Sequence, residues 1–391
     1  MRTLPVDAPP STSKRYYLPE LDVARFLAFL LVFIHHFDFL ERLIVPGSVA
    51  GVTAALGPLT PAFYAVISAC RFGLSLFFTL SAFLIAELLL REKLATATVR
   101  AGQFYIRRIL RIWPLYYFAL ALAFVFALLF GGGFPATAHI GWFAVFLGAW
   151  YFAHNGWIPS FIFPLWSISV EEQFYLVAPW LLKFLNRRLL YAFSAALILL
   201  SNILLFHFGR IRAADAPIWY NSFVQFQCFA AGILLSLALR GRVPRFSAWR
   251  RCFLLAAAVL GWFAACFFFH VRIGALGNPG PWALMAGYAL GTLGCVMVLL
   301  GLLGLPAAKL PAWAVNLGRI SYGLYVFHVL AIQIVLLVWP SRLALPFPSP
   351  LLQGPIALAL CVLIASASYR FLEAPFLRLK RRHSIIESHP V

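Results

Sequence analysis

The sequence predicts an all-α polytopic membrane protein: a bundle of about ten transmembrane helices plus a short re-entrant or interfacial helix, with both termini cytoplasmic. Three observations carry that prediction. Of the 391 residues, 63% are hydrophobic and 11% charged, against roughly half and a quarter in soluble domains. The mean hydropathy of +0.90 is spread along the chain, which excludes a soluble domain on a single anchor. Ten apolar runs reach the ~20 residues that a bilayer crossing needs.

Residues 1–20 are polar and Pro-rich and read as a cytoplasmic tail. The run that follows, 21–41, ends without a small-residue cleavage signature, so it is expected to be a retained span and not a signal peptide. Further runs fall at 71–90, 113–131, 164–185, 189–207, 218–239, 252–271, 282–304, 320–339 and 352–373. They define a transmembrane domain over 21–376, followed by a basic cytoplasmic tail over 377–391. The segment 140–154, between the GGG at 131–133 and Pro159, is short and aromatic-rich, and charge decides whether it crosses. If it does not, 23 of the 31 Lys and Arg lie in cytoplasmic loops and five (Arg42, Arg210, Arg212, Arg272, Arg342) lie outside, with Arg25, Arg71 and Arg370 in spans. The positive-inside rule favours that arrangement. A crossing at 140–154 would place the RGRVPRFSAWRR loop (240–251) outside.

The 31 basic residues stand against 12 acidic ones, an excess that suits anionic lipid headgroups or an anionic ligand; nothing points to nucleic acid. The six cysteines form no C-x-x-C pair and have no neighbouring His at ligand spacing, so neither a disulfide framework nor a metal site is expected. No internal repeat aligns, which weighs against a carrier built from repeats.

Ionisable residues inside spans are costly and therefore functional candidates. The first span carries Asp22, Arg25, His35 and His36. Eleven helical steps bring His36 back to within about 20° of Arg25 and roughly 16 Å along the axis, so these two share a face while His35 lies about 100° off it. Asp22 is spaced to pair with Arg25, an arrangement that equally suits a headgroup anchor. A neutral imidazole in a bundle is well matched to take a proton from a hydroxyl near neutral pH. In QFYIRRILRIWPLYY (103–117), Arg107, Arg108 and Arg111 crowd a helix entrance. Such a run often only sets topology, but Arg108 and Arg111 share a face and could grip phosphates; Lys93 and Arg100 extend the patch.

PLWSISVEEQFYLVAPW (164–180) places Glu171 and Glu172 side by side one to two turns into an apolar span. They point about 100° apart, so one faces a shared cavity and the other needs its own partner, such as Arg71 or Arg370. Trp166, Ser167 and Ser169 offer stacking and hydrogen bonds to a polar guest. In SYGLYVFHVL (321–330), Tyr325 and His328 share a face and are further candidates for holding substrate, or for bridging helices. Glu87 and Glu373 are expected at the interface.

These stretches together resemble the membrane-bound acyltransferase 3 family, over nearly the whole chain. The resemblance rests on five ordered motifs: Arg25 and His36 as R-x10-H after Leu21-Asp22; FFTLSAFLI (77–85), similar to FFVLSGFLI; RRILRIWPLYY (107–117); WSISVEEQFY (166–175), similar to WSLSVEEQFY; and SYGLYVFHVL followed by FLEAPF (371–376). Ile168 replaces a leucine of the family pattern, and Ala82 replaces a glycine, restricting any close backbone approach there.

The resemblance implies an integral O-acyltransferase that moves an acyl group, expected to be acetyl, from acyl-CoA to a hydroxyl of a carbohydrate, as a multi-pass protein of the bacterial inner membrane. His36 would be the catalytic base or acyl relay, with Arg25 and Glu171 beside it. Arg107, Arg108 and Arg111 would bind the CoA phosphates, and Trp166, Ser167, Glu172, Tyr325 and His328 the acceptor. Acyl-CoA is then a co-substrate and no permanent cofactor is needed; the acceptor is a glycan or lipid-linked sugar, and the other partners are membrane lipids. The chain ends soon after its last span, so a soluble SGNH domain such as some relatives carry is expected, if required, from another chain. The alternative is a transporter or flippase for a polar or lipid-linked substrate, which explains intramembrane charges but not the basic R-x-x-R. A scaffold without chemistry ranks below both.

Overall fold

A computed structural model describes residues 16–44, 53–130, 138–156, 160–271, 279–342, 350–383 and 386. Among these residues nine helical stretches are long and apolar enough to cross a bilayer: Pro19–Leu40, Thr53–Thr96, Ala101–Leu129, Arg187–Arg210, Asp215–Leu239, Ala248–Phe267, Pro281–Leu302, Ser321–Val338 and Leu352–Lys380. The protein is a multi-pass integral membrane protein. The long helices used below are α1 (Pro19–Ile44), α3 (Phe72–Thr96) and α4 (Ala101–Phe130), with the short α2 (Thr60–Ala69) between α1 and α3. Two short helices follow, α5 (Ala138–Ala144) and α6 (Gly148–Asn155), and then α7 (Leu165–Phe184) and α8 (Arg187–Arg210). Next come α9 (Asp215–Trp219), α10 (Ser222–Leu239), α11 (Ala248–Phe267) and α12 (Pro281–Leu302). The last four are α13 (Ala312–Arg319), α14 (Ser321–Arg342), α15 (Pro350–Ser368) and α16 (Ala374–Arg381). Helix α7, the span expected at 164–185, forms 20 continuous residues and carries Glu171, Glu172 and Lys183; it is not among those nine.

The aromatic segment near 140–154 breaks into α5 and α6, of 7 and 8 residues. At 1.5 Å per residue each rises only about 12 Å, well short of a hydrocarbon core of about 30 Å. Backbone freed by such a break must be satisfied by protein, and the expected motifs do so. Tyr116 donates to the Phe143 carbonyl (2.7 Å), Tyr117 to Ala144 (2.9 Å) and Gln173 to Phe146 (3.2 Å). The tyrosines of RRILRIWPLYY thus hold the short helices in place.

Helix α1 starts on Pro19, whose missing N–H costs nothing at a first turn. Its core faces α3, where a side chain at Gly73 would strike the Ala28 carbonyl and Leu31. The departure at Ala82 has a compensation: Gly232 on α10 lies opposite, and a Cβ there would stand 2.8 Å from that of Ala82. The missing glycine is made up from the facing helix, so α3 and α10 still pack closely.

Two expectations are corrected. Glu87 and Glu373 are buried among protein side chains and are not exposed to lipid headgroups. Glu87 accepts from Ser236 (2.9 Å) and from Arg91 (3.3 Å). Glu373 closes a π-helical turn, Tyr369–Glu373, and accepts from Ser368 (3.4 Å).

Candidate active site

Two cavities run into the bundle from opposite ends of α1. The first, about 1070 Å³ with its mouth, is reached from the side of the basic loops and is lined by Arg25, Arg108, Arg111, Glu171, Ser167 and Tyr325 among others. The second, about 840 Å³, is lined by His35, His36, Arg71, Trp166, Asp215 and Tyr220 among others. Leu74 and Tyr325 line both. At that shared wall the Tyr325 and Ser167 hydroxyls bond to each other at 2.7 Å beside the Pro164 carbonyl, which accepts from one of them.

In the first cavity Arg25 forms its expected ion pair with Asp22, one helical turn away. Tyr17 donates to the other Asp22 oxygen (2.9 Å) and accepts from Arg319 (3.2 Å). Burial pushes the Tyr17 phenol up, opposed by the Arg319 bond. Glu171 accepts from Tyr175 (2.9 Å), whose oxygen is 2.7 Å from Ser81; this chain ties the FFTLSAFLI and VEEQFY motifs together. Arg108 lies over the Tyr175 ring, and its Nε is buried with no partner among the described residues. A buried guanidinium nitrogen left open in a cavity that also presents Arg25 and Arg111 suits an anionic ligand such as a phosphate.

Arg107 stands apart from this cluster, bonded to Glu92 (2.9 Å) and to the His383 carbonyl (2.9 Å). Glu172 also turns away from the cavity. Its partner is Trp113 Nε1 at 3.5 Å, neither Arg71 nor Arg370, because Arg71 is held by Asp215 and Arg370 lies over Phe371.

The second cavity holds the histidines. Arg25 and His36, placed on one face by the periodicity, open on different cavities, since the 11-residue stretch between them passes the Leu74–Tyr325 wall. His35 opens on the same cavity as His36, because that space wraps around α1 further than one helical face. Behind His36 stands His328, fully buried. His328 Nδ1 is 2.6 Å from the Tyr325 carbonyl, and its Nε2 is 2.7 Å from His36 Nδ1.

This geometry sets the tautomers. A carbonyl only accepts, so His328 Nδ1 carries the proton; the Nε2 of the neutral ring then accepts, so His36 Nδ1 carries one too. His36 Nε2 is left with the free lone pair.

Sequence reasoning offered Arg71 only as a partner for a glutamate and missed its actual surroundings, Asp215 and Trp219. Arg71 is 1% exposed, stacks 3.7 Å over Trp219 and pairs with Asp215 at 3.3 Å, while its Nε has no partner among the described residues. The available signal was an arginine at the head of an apolar span, too distant in sequence from Asp215 to suggest the pairing.

A family model described as an acyltransferase domain, acyltransferase 3, matches residues 18–370, nearly every residue used above. The chain belongs to the acyltransferase 3 family. Among curated relatives, this acyltransferase 3 chain is 25% identical to the peptidoglycan O-acetyltransferase OatA of Listeria monocytogenes, over 92% of the chain and 56% of that protein. It is also 25% identical to the O-acetyltransferase OatA of Staphylococcus aureus, over 78% of the chain and 52% of the relative. The chain thus spans about half the length of the curated relatives it matches. No solved structure matches it.

Proposed function

We propose that the protein is a bacterial inner-membrane O-acyltransferase that moves an acyl group, acetyl as in the names of its relatives, from acyl-CoA to a hydroxyl of a glycan or lipid-linked sugar. One observation carries this reading: an arginine-lined cavity and an imidazole-bearing cavity approach from opposite sides and share a single wall, Leu74 and Tyr325. The CoA head rests on Arg108 and Arg111 with Arg25 beyond, and its arm, which must cover the roughly 16 Å of helix from Arg25 to His36, brings the thioester to the shared wall. The acceptor enters the second cavity among Trp166, Tyr220 and the Arg71–Asp215 pair.

His36 Nε2 takes the hydroxyl proton as the oxygen attacks the thioester carbonyl. A C–O bond forms, the C–S bond breaks, and the imidazolium returns its proton to the departing thiolate. In a two-step version Nε2 first carries the acyl group; a burst of free thiol before acceptor is added separates the two routes.

The test is thiol release and acyl transfer by purified protein in bilayers, with acetyl-CoA and glycan fragments. His36→Ala is expected to abolish transfer while His35→Ala keeps measurable turnover with a changed KM for acceptor. Equal loss of kcat at both positions would contradict the assignment of the base. Movement of a glycan across the bilayer with no thiol released would favour a carrier.

A further inference from the structure

A third cavity, about 930 Å³, lies apart from the other two, where the C-terminal ends of α3 and α10 meet the α7–α8 connection. The lining segments, 87–94, 185–190 and 236–241, are helix ends that run into the basic stretches 91–93, 183–188 and 240–251, so the cavity opens on the side expected to be cytoplasmic. Its rim carries Arg91, Lys93, Arg187 and Arg240. The one acid among the lining residues, Glu87, is buried and bonded to Ser236 and Arg91.

Three of these cations grip helix ends. Lys93 donates to the carbonyls of Leu182 and Lys183 (2.9 Å each), Arg91 to Gly241 (3.1 Å) and Arg187 to Leu237. Carbonyls bring only partial negative charge, so the rim keeps a net positive charge of about three, to which the N-terminus of α8 adds its own field. Arg240 is exposed and sits at φ 53°, in the left-handed conformation after α10 where glycine is usual. A long cationic side chain is therefore present at the cavity mouth against local backbone preference. Leu90, Leu94, Leu185 and Leu190 line the cavity beside these cations, and Leu94 and Phe184 are exposed apolar side chains at the ends of two helices.

A ring of cations beside leucines and exposed apolar side chains at the ends of membrane spans matches the chemistry of a phosphodiester carrying acyl chains. We propose that this cavity binds the phosphate headgroup of an anionic phospholipid of the leaflet on the basic-loop side. The assignment is independent of the acyl-transfer reading.

The test uses the full chain in detergent, with thermal unfolding and native mass spectrometry as readouts and phosphatidylglycerol, phosphatidylcholine, inorganic phosphate and CoA as separate additions. Phosphatidylglycerol is expected to raise the melting temperature and to stay bound, and phosphatidylcholine to do neither. Arg240→Gln, which removes no helix-end contact, should weaken phosphatidylglycerol binding roughly fivefold, the effect of one surface charge worth about 1 kcal/mol; Arg245→Gln in the same loop should not. Lys93 and Arg187 are left intact because the helix ends depend on them. Equal stabilisation by phosphatidylcholine, or an unchanged phosphatidylglycerol affinity in Arg240→Gln, would overturn the proposal. So would stabilisation by inorganic phosphate or CoA that is lost in Arg240→Gln, since the cavity would then serve a soluble anion.

Discussion

Replacing His328 by phenylalanine keeps the ring's bulk and removes the acceptor that the described residues offer the His36 Nδ1 proton, 2.7 Å away. A hydrogen bond between neutral groups contributes about 0.5–1.5 kcal/mol, rising to about 1.5–3 kcal/mol once one partner is charged. His36 becomes charged as it takes the acceptor proton, so the larger figure applies to the transition state, and the variant should lose roughly 10- to 150-fold in kcat/KM. His328→Gln offers the matching control. Its amide carbonyl can accept from His36 while its amino group donates toward the Tyr325 carbonyl, so most of the activity should return. The assay is thiol release from acetyl-CoA with acceptor present, alongside thermal unfolding to show that both variants fold. Full activity in His328→Phe, or equal loss in the Phe and Gln variants with both folded, would refute the tautomer argument.

Charge reversal at Arg108 and Arg111 should raise the KM for acetyl-CoA at least about tenfold, the scale of one charge-assisted bond, and more steeply than Arg250→Gln on the exposed loop; titration of CoA binding checks this, and unchanged affinity would remove both from the donor site. Asp215→Ala leaves the buried Arg71 unpaired and should cost about 3 kcal/mol, the lower end for a broken buried pair, because the Asp215 side chain is itself 32% exposed; a thermal melt in detergent reads the loss. Gly232→Ala should destabilise by about 1–3 kcal/mol through overpacking. Adding Ala82→Gly should restore only part of that, since the Thr79 carbonyl and Phe83 amide also meet the new methyl.

Much of the fold was legible because the bilayer imposes local rules. A run of about 20 apolar residues is a crossing wherever it packs, and the balance of Lys and Arg between loops set the short aromatic segment at 140–154 apart from the spans. The Asp22–Arg25 pair was legible for the same reason, as both side chains leave one helix a turn apart. Arg108 and Arg111 were found as a charged face at the head of a span, and their cavity then assembled around them. The burial of Glu87 and Glu373 was not legible because a carboxylate near a helix end looks exposed until the neighbour that covers it is known.

By itself the sequence determined an all-helical membrane bundle, its basic face, and the set of ionisable side chains available for chemistry. The tertiary structure decided which of them meet. His36 and His328 lie 292 residues apart and Arg71 and Asp215 lie 144 apart, and no helical period relates them. Hydrogen bonds and ion pairs act over about 3 Å, so partnership depends on which helix faces which, and that is settled by packing of the whole bundle. The same packing divides one helix face at Leu74 and Tyr325, leaving Arg25 on one side of the wall and His36 on the other.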